Sequence, residues 1–316
     1  MSDAQRQWPD QAGRIHEGPL VAAGHGSEVI ACAGCGFRHV VPLPDEVELQ
    51  RFYTESFYGG FHVDYIERQR QDLPWWRLEF QAKIDLFEEL LPSDRRSLLD
   101  VGSGAGWFLH YGAERGWQTL GVEPNEAAIL HARDELRQEV VAGFFTADTA
   151  AACEPVDVVH LHNVLEHVAD PAAVLAAAAA CLTEDGMVAV TVPNDFNPLQ
   201  EALVRLRGHE RWWVDPREHL SYFDRGDLES LLVRQGFSPE RHLASFPLEL
   251  FALMGDDYLA DSELGPVIHR KRMALEHAMH EAGCADLLAS LYGKLGELGL
   301  GRTLTVVARL DPQSSS

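Results

Sequence analysis

An α/β fold with a parallel central sheet follows from two observations. From Leu98 onward, short apolar runs alternate with helical patterns, and crossover helices between such runs are what parallel strands require. The first run ends in Asp100 and leads straight into "GSGAG" at 102–106, a glycine turn of the kind that closes a strand and opens a helix. The expected strands are "SLLDV" at 97–101, "QTLGVE" at 118–123, "EVVA" at 139–142, "VDVVHLH" at 156–162 and "GMVAVTV" at 186–192.

Helices fill the intervals. Asp170-Pro171 is an N-cap followed by proline at the first helical position, which predicts a helix to about Leu182. Asp224 caps another, with Leu228, Leu231 and Leu232 on one face and Gly236 closing it. A strand near 239–245 and a last strand "RTLTVVARL" at 302–310 are separated by a mostly helical stretch. The resulting division is a small Cys-containing N-terminal module at 1–60, a core at 61–246 whose residues 61–92 read as helix, a helical insertion or lid at 247–300, and the last strand with a tail at 301–316. Residues 1–13 and the terminal "DPQSSS" lack periodicity and are expected to be unstructured.

Composition excludes several classes. At 46% hydrophobic and 24% charged, the 316 residues can bury a sizeable core, so a disordered chain is ruled out. The 49 acidic against 26 basic side chains leave a net charge of −23 with no dense basic cluster, which argues against nucleic acid as a partner. The N-terminus has no basic region followed by an apolar core, and the Ala-rich run from Pro171 to Leu182 is too short to span a bilayer. A soluble cytoplasmic protein without a membrane partner is expected. The five cysteines are odd in number and mostly scattered, so reduced thiols are expected outside Cys32 and Cys35.

The glycine turn at Gly102, Gly104 and Gly106 lets backbone N–H groups approach a ligand, but Trp107 stands where a dinucleotide fingerprint needs its third glycine. The next strand ends at Glu123, placed to accept from both hydroxyls of an adenosine ribose. Asp100 adds a carboxylate beside the turn, a poor neighbour for phosphate and a good one for an amino group or sulfonium. S-adenosylmethionine fits.

These residues, with "VDVVHLHNVLEHVADP", "MVAVTVPN" and "HLSYFDRGDLESLLVRQGF", resemble the class I S-adenosylmethionine-dependent methyltransferases of the small-molecule type over about 75–245 and the last strand. The resemblance implies a Rossmann-like seven-stranded sheet with helices on both faces. It also implies that Asp100, Gly102, Ser103, Gly104 and Gly106 surround the methionine part, and that Glu123 holds the ribose. Phe144 and Phe145 stand where an acid often meets adenine, with Asp148 as a substitute, and His162 and Asn163 face the methyl donor. In ubiquinone-pathway relatives a segment like "NVLEH" reads E-x-x-E-H and is associated with a divalent ion. Asn163 removes its first carboxylate, which favours Glu166 and His167 as braces for the following loop.

Methyltransferases of this broad type often carry an N-terminal zinc-ribbon-like segment with two C-x-x-C knuckles before a "PLP" turn. Here "CAGCGFRH" supplies one knuckle, Cys32 and Cys35, with His39, with His16 and His25 upstream and Pro42-Leu43-Pro44 after it. Two thiolates and two imidazoles, His16 and His39 for preference, would complete a tetrahedral structural zinc site.

The acceptor pocket is expected from "PNDFNPLQ", from "RLRGHERWWVDPREHLSYF", from the helix with Trp75-Trp76-Arg77 and from the insertion as a lid. Trp212 and Trp213 beside Arg207, Arg211 and Arg217 suggest an aromatic or sugar-like acceptor with some negative charge. A hydroxyl, or less readily an amine, of a small metabolite such as a sugar or a natural-product intermediate would then be methylated. His219 is the preferred base and His162 the other candidate. A protein-modifying methyltransferase and a non-catalytic cofactor-binding module are the alternatives, and a homo-oligomer is compatible with each.

Overall fold

The computed structural model describes residues 5–10, 13–24, 26–44 and 65–311. Seven strands form the large sheet: β5 (Ser97–Val101), β6 (Gln118–Glu123), β7 (Val140–Ala142), β8 (Val156–His162), β9 (Leu182–Pro193), β11 (Phe237–Ala244) and β12 (Thr303–Leu310). Their order is β11-β12-β9-β8-β5-β6-β7. The pairs among β5 to β9 are parallel, and β12 runs antiparallel to both of its neighbours. Chain direction across the sheet reverses between β5 and β8, where open α/β sheets leave a crevice at the carboxyl ends of their strands.

Strand alternation decides which helices cover which face. Leu99, Val159 and Val190 point to one side, under α6 (Pro171–Cys181) and α8 (Arg225–Arg234). Leu98, Val158, Met187 and Val307 point to the other, where Phe80, Ile84 and Phe87 of α2 (Leu73–Leu90) and Phe108 and Tyr111 of α3 (Trp107–Glu114) close over them. A short α1 (Tyr65–Gln71) precedes α2; residues 61–64 of the expected helix lie outside the described residues. The remaining short crossovers are α4 (Glu126–Leu130) and α5 (Ala147–Ala151), and α7 (Pro198–Arg207) follows β9.

A second, antiparallel sheet has the order β1-β2-β3-β4-β10, from β1 (Gln5–Pro9), β2 (Ile15–Gly24), β3 (Ser27–Cys32), β4 (Phe37–Val41) and β10 (Ser221–Tyr222). The expectation that residues 1–13 are unstructured needs correction for Gln5–Pro9. That segment is an edge strand held by backbone pairing to β2 and largely exposed, so its sequence carries no buried-face periodicity to read. Residues 1–4, 11, 12 and 312–316, and His25, lie outside the described residues. The fifth strand comes from far along the core: Val40 N–H donates to the Leu220 carbonyl at 2.9 Å, and Phe37 packs on Phe223 at 5.0 Å between ring centroids.

The 247–300 stretch is helical as expected, forming α9 (Glu249–Met254), α10 (Leu264–Glu281) and α11 (Ala285–Glu297). α10 leans on α2, where the Trp75 indole N–H donates to Glu276 and His269 meets Asp72 at 3.2 Å. No helix among the described residues is long and apolar enough to cross a membrane. All five cysteines are free.

Candidate active site

The carboxyl ends of β5, β8 and β9 open into a cavity of about 730 Å³. All three glycines of the turn after β5 have positive φ, at 70°, 52° and 83°, a region in which only glycine is comfortable. A Cβ on Gly106 would also lie 2.7 Å from Ala132. Gly104 N–H and Asn125 N–H both donate to the Glu123 carboxylate at 2.9 Å, which ties the turn to the end of β6. Burial raises Glu123 to about 7, against those two N–H groups.

Asp100 is 4% exposed and takes a 2.7 Å hydrogen bond from His160 Nδ1. Burial pushes it up to about 7, with Lys83 pulling the other way. Lys83 was not among the residues singled out from the sequence. It lies on the same helical stripe as Phe80, Ile84 and Phe87, and is 4% exposed. Its Nζ stands 3.0 Å from Glu79, 2.7 Å from His162 Nδ1 and 3.3 Å from His160 Nε2. Burial first, and Lys83 second, hold both imidazoles well below their ordinary value.

The structure brings Asp100, Gly102, Ser103, His162 and Asn163 together on the cavity wall. Asn163 has φ 55°, a left-handed position that asparagine tolerates better than glutamate does. Phe144 and Phe145 do not line this cavity; Phe145 packs against the core. Asp148 is exposed and borders a different recess with Ser97, Gln118 and Glu139, on the amino side of the sheet.

The far side of the cavity differs. Glu166 is 1% exposed with no hydrogen-bond partner on either carboxyl oxygen, and burial raises it well above the ordinary range. Asp195, 3% exposed and with Oδ2 unpartnered, is pushed up to about 8 by burial, with Arg302 opposing. His219 Nδ1 and the indole N–H groups of Trp212 and Trp213 are also buried and unpartnered. Burial lowers His219 to about 4, so it is a neutral imidazole at neutral pH. His167 Nδ1–H donates to the Glu218 carbonyl at 2.7 Å, which turns Nε2 toward Glu166 at 3.8 Å. Glu166, His167 and His219 offer ligand atoms within 4.8 Å of one another.

Of the expected acceptor elements, Pro193, Asp195 and Gln200 line the cavity, as do Trp212, Trp213 and His219, and from α2 Trp76. No residue of 247–300 does. The arginines single out a misreading: Arg207 donates to the Ala252 carbonyl, Arg211 to Glu201 and the Val21 carbonyl, and Arg217 to Asp215. Among the described residues, the Lys and Arg side chains that do line the cavity are Arg68, Lys83 and Arg302.

In the small sheet His16, Cys32, Cys35 and His39 offer ligand atoms within 4.8 Å of one another. His39 Nδ1–H donates to the Val40 carbonyl at 2.9 Å, and His16 Nε2 faces Asp10 at 3.5 Å. With those N–H groups spent on oxygen, the lone pairs of His39 Nε2 and His16 Nδ1 face each other at 3.1 Å, with Cys35 Sγ 3.3 Å from His16 Nδ1. Burial raises Cys32, but the neighbouring His39, the Cys35 N–H and His16 bring its thiol down to about 5. Burial and the Cys32 charge push Cys35 up to about 12. Two facing lone pairs and a stabilised thiolate suit a tetrahedral cation.

A seven-stranded sheet with one antiparallel strand, and a glycine turn tied to a buried carboxylate at the end of the next strand, define an S-adenosylmethionine-dependent methyltransferase of class I. The model of a methyltransferase domain family matches residues 75–242, more than half of the chain, and the chain belongs to that family. Among curated proteins it is similar to the ubiquinone biosynthesis O-methyltransferases of Stutzerimonas stutzeri (strain A1501), 31% identical over 38% of this chain and 58% of the relative, and of Hahella chejuensis (strain KCTC 2396), 32% identical over 33% and 50%. The chain thus spans about half the length of these relatives. Among solved structures it shares its fold with the plantazolicin methyltransferase BamL, in complex with a triazolic desmethylPZN analog and SAH. That match has a TM-score of 0.53 and 14% identity over 84% of this chain and 95% of the other.

Proposed function

We propose that this chain transfers the methyl group of S-adenosylmethionine to a hydroxyl, or less readily an amine, of a small polar metabolite such as a sugar or a natural-product intermediate. Glu123 would hold the ribose, Asp100 and the glycine turn the methionine part. The carrying observation is the set of unpartnered buried polar groups opposite the donor: Glu166, Asp195, His219 and the two indoles. Leaving such groups unmade is costly, and a hydroxylated ligand supplies both donors and acceptors. Methyl transfer from a sulfonium needs the acceptor aligned, water excluded and a proton removed. We assign the proton to His219, whose buried Nδ1 has no partner within the protein. Lys83 occupies the His162 nitrogen that would otherwise accept one. Turnover of S-adenosylmethionine with small hydroxylated acceptors, in the absence of any protein substrate, tests the reading. Methylation that requires a protein acceptor would favour a protein-modifying enzyme, and bound cofactor that is never consumed would favour a binding module.

A second reading rests on Glu166, His167 and His219. One carboxylate and two imidazoles fit a first-row transition ion better than Mg²⁺, and such an ion would polarise the acceptor oxygen. Inhibition by a chelator, reversed by added metal, separates it from His219 as a base.

We also assign a structural zinc to Cys32, Cys35, His16 and His39. Elemental analysis of untagged protein should give about one zinc per molecule, lost in Cys32→Ser. No zinc, with both thiols freely titratable in the native protein, would contradict it. We also propose that the enzyme works in the cytoplasm, without nucleic-acid or membrane partners. The exposed Leu287 and Leu291 of α11 suit a homo-oligomeric contact.

A further inference from the structure

We propose that Lys83 is the positioning residue of the methyl-donor site, fixing the tautomers of His160 and His162 so that one donates to Asp100 and the other presents a donor to the cavity. The inference rests on S-adenosylmethionine binding beside Asp100, and it assigns no role to the acceptor.

An ammonium has three N–H donors and no acceptor. The three groups around Lys83 Nζ are Glu79 Oε1 at 3.0 Å, His162 Nδ1 at 2.7 Å and His160 Nε2 at 3.3 Å, so every donor has a partner. Both ring nitrogens that face it must therefore be acceptors. A neutral imidazole carries one N–H, and so His160 carries it on Nδ1, 2.7 Å from Asp100 Oδ1. The Asp100 carboxylate is thereby paired as an acceptor and its orientation set. By the same logic His162 carries its hydrogen on Nε2, and this ring lines the cavity.

The arrangement is written in the spacing of α2 and β8. Glu79 and Lys83 are four apart on one helix, and His160 and His162 two apart on one strand, so each pair shares a face. The rings of His160 and His162 lie 5.8 Å apart at 28°, nearly parallel, on the same face of β8. Among the described residues, the titratable groups that face this cluster are Glu79 and Lys83 from α2, Asp100 from β5, Glu123 from β6, Tyr65 from α1 and Arg272 from α10.

A ligand whose α-ammonium lies beside Asp100 selects the ionised carboxylate, so affinity rises with pH through the range in which Asp100 ionises. Lys83 favours that ionised form. The probe is S-adenosylhomocysteine, titrated calorimetrically between about pH 6 and pH 9 into wild type, Lys83→Met and Lys83→Arg; comparing variants cancels the ligand's own ionisation. Lys83→Met should lose about tenfold in affinity near neutrality, regain most of it at the alkaline end and shift the midpoint upward, while Lys83→Arg keeps the wild-type midpoint. A loss equal at every pH would mean a packing role only and overturn the proposal. Nitrogen-15 spectra of wild-type histidines give an independent reading should Lys83→Met fail to fold. His160 with its hydrogen on Nδ1 and His162 with its hydrogen on Nε2 are expected, and the opposite tautomer at either ring overturns the inference. Absence of any S-adenosylhomocysteine binding by wild type, with the expected tautomers, would instead contradict the cofactor assignment itself.

Discussion

The two walls of the cavity satisfy their buried polar groups differently. On the donor side Asp100 has His160, and Glu123 has two backbone N–H groups, with Ser103 Oγ and Trp107 Nε1 left over. Across from it Glu166, Asp195 and Trp213 are as deeply placed and His219 is half-buried, and the atoms that matter have no partner. A wall whose carboxylates are already paired in the free chain is built for one ligand. A wall with orphaned donors and acceptors is completed by what binds there, and it carries a standing cost until then.

The sharpest way to break this contrast is on the donor side. Glu123→Ala should lower S-adenosylmethionine affinity about a hundredfold or more, because two charge-assisted hydrogen bonds to the ribose are lost together. Calorimetry measures it, and circular dichroism checks that losing the Gly104 and Asn125 contacts has not unfolded the turn. Unchanged affinity would remove Glu123 from the site.

His219→Ala probes the other wall and should lower turnover about a hundredfold while cofactor affinity stays near wild type. Near-native turnover would leave alignment alone as the chemistry of that wall.

The smallest effect is on stability. Asp195 and Glu166 are raised by burial, so each stays protonated in the fold at a pH where the unfolded chain has already ionised it. Stability is therefore full below the ordinary carboxylate range and is lost as pH rises through the folded value, about 8 for Asp195. Asp195→Asn should raise the melting temperature of the free protein at mildly alkaline pH by about 2–4 °C, and the gain should vanish in acid. A melting temperature lowered at both pH values would show that Asp195 is paired after all.

The glycine turn and the carboxylates around it were legible in the sequence because their signals are local. The strands at 97–101, 118–123 and 156–162 have the bounds expected of them, and the glycine turn and Glu123 lie within a single β-α-β stretch. The thiolate–imidazole cluster was legible too, since Cys32, Cys35 and His39 are close in sequence and His16 falls on the neighbouring strand. Lys83 was not, because a lysine on an amphipathic helix ordinarily reads as a solvated residue, and only the packing of α2 on β8 buries it. Arg302 and β10 were missed for the same reason: what they touch is far away in the chain. Asp195, Trp212 and Trp213 lay in segments marked as pocket-forming, but that their polar atoms lack partners is a property of the fold alone.

A crystal structure with S-adenosylhomocysteine checks the placement of the cofactor between the two walls. The expected placement has both ribose hydroxyls on the Glu123 carboxylate, the amino-acid part beside Asp100 and the Gly102–Gly106 turn, and the sulfur facing the wall that holds Asp195 and His219. A nucleoside bound away from the glycine turn, or a sulfur turned away from that wall, would contradict it.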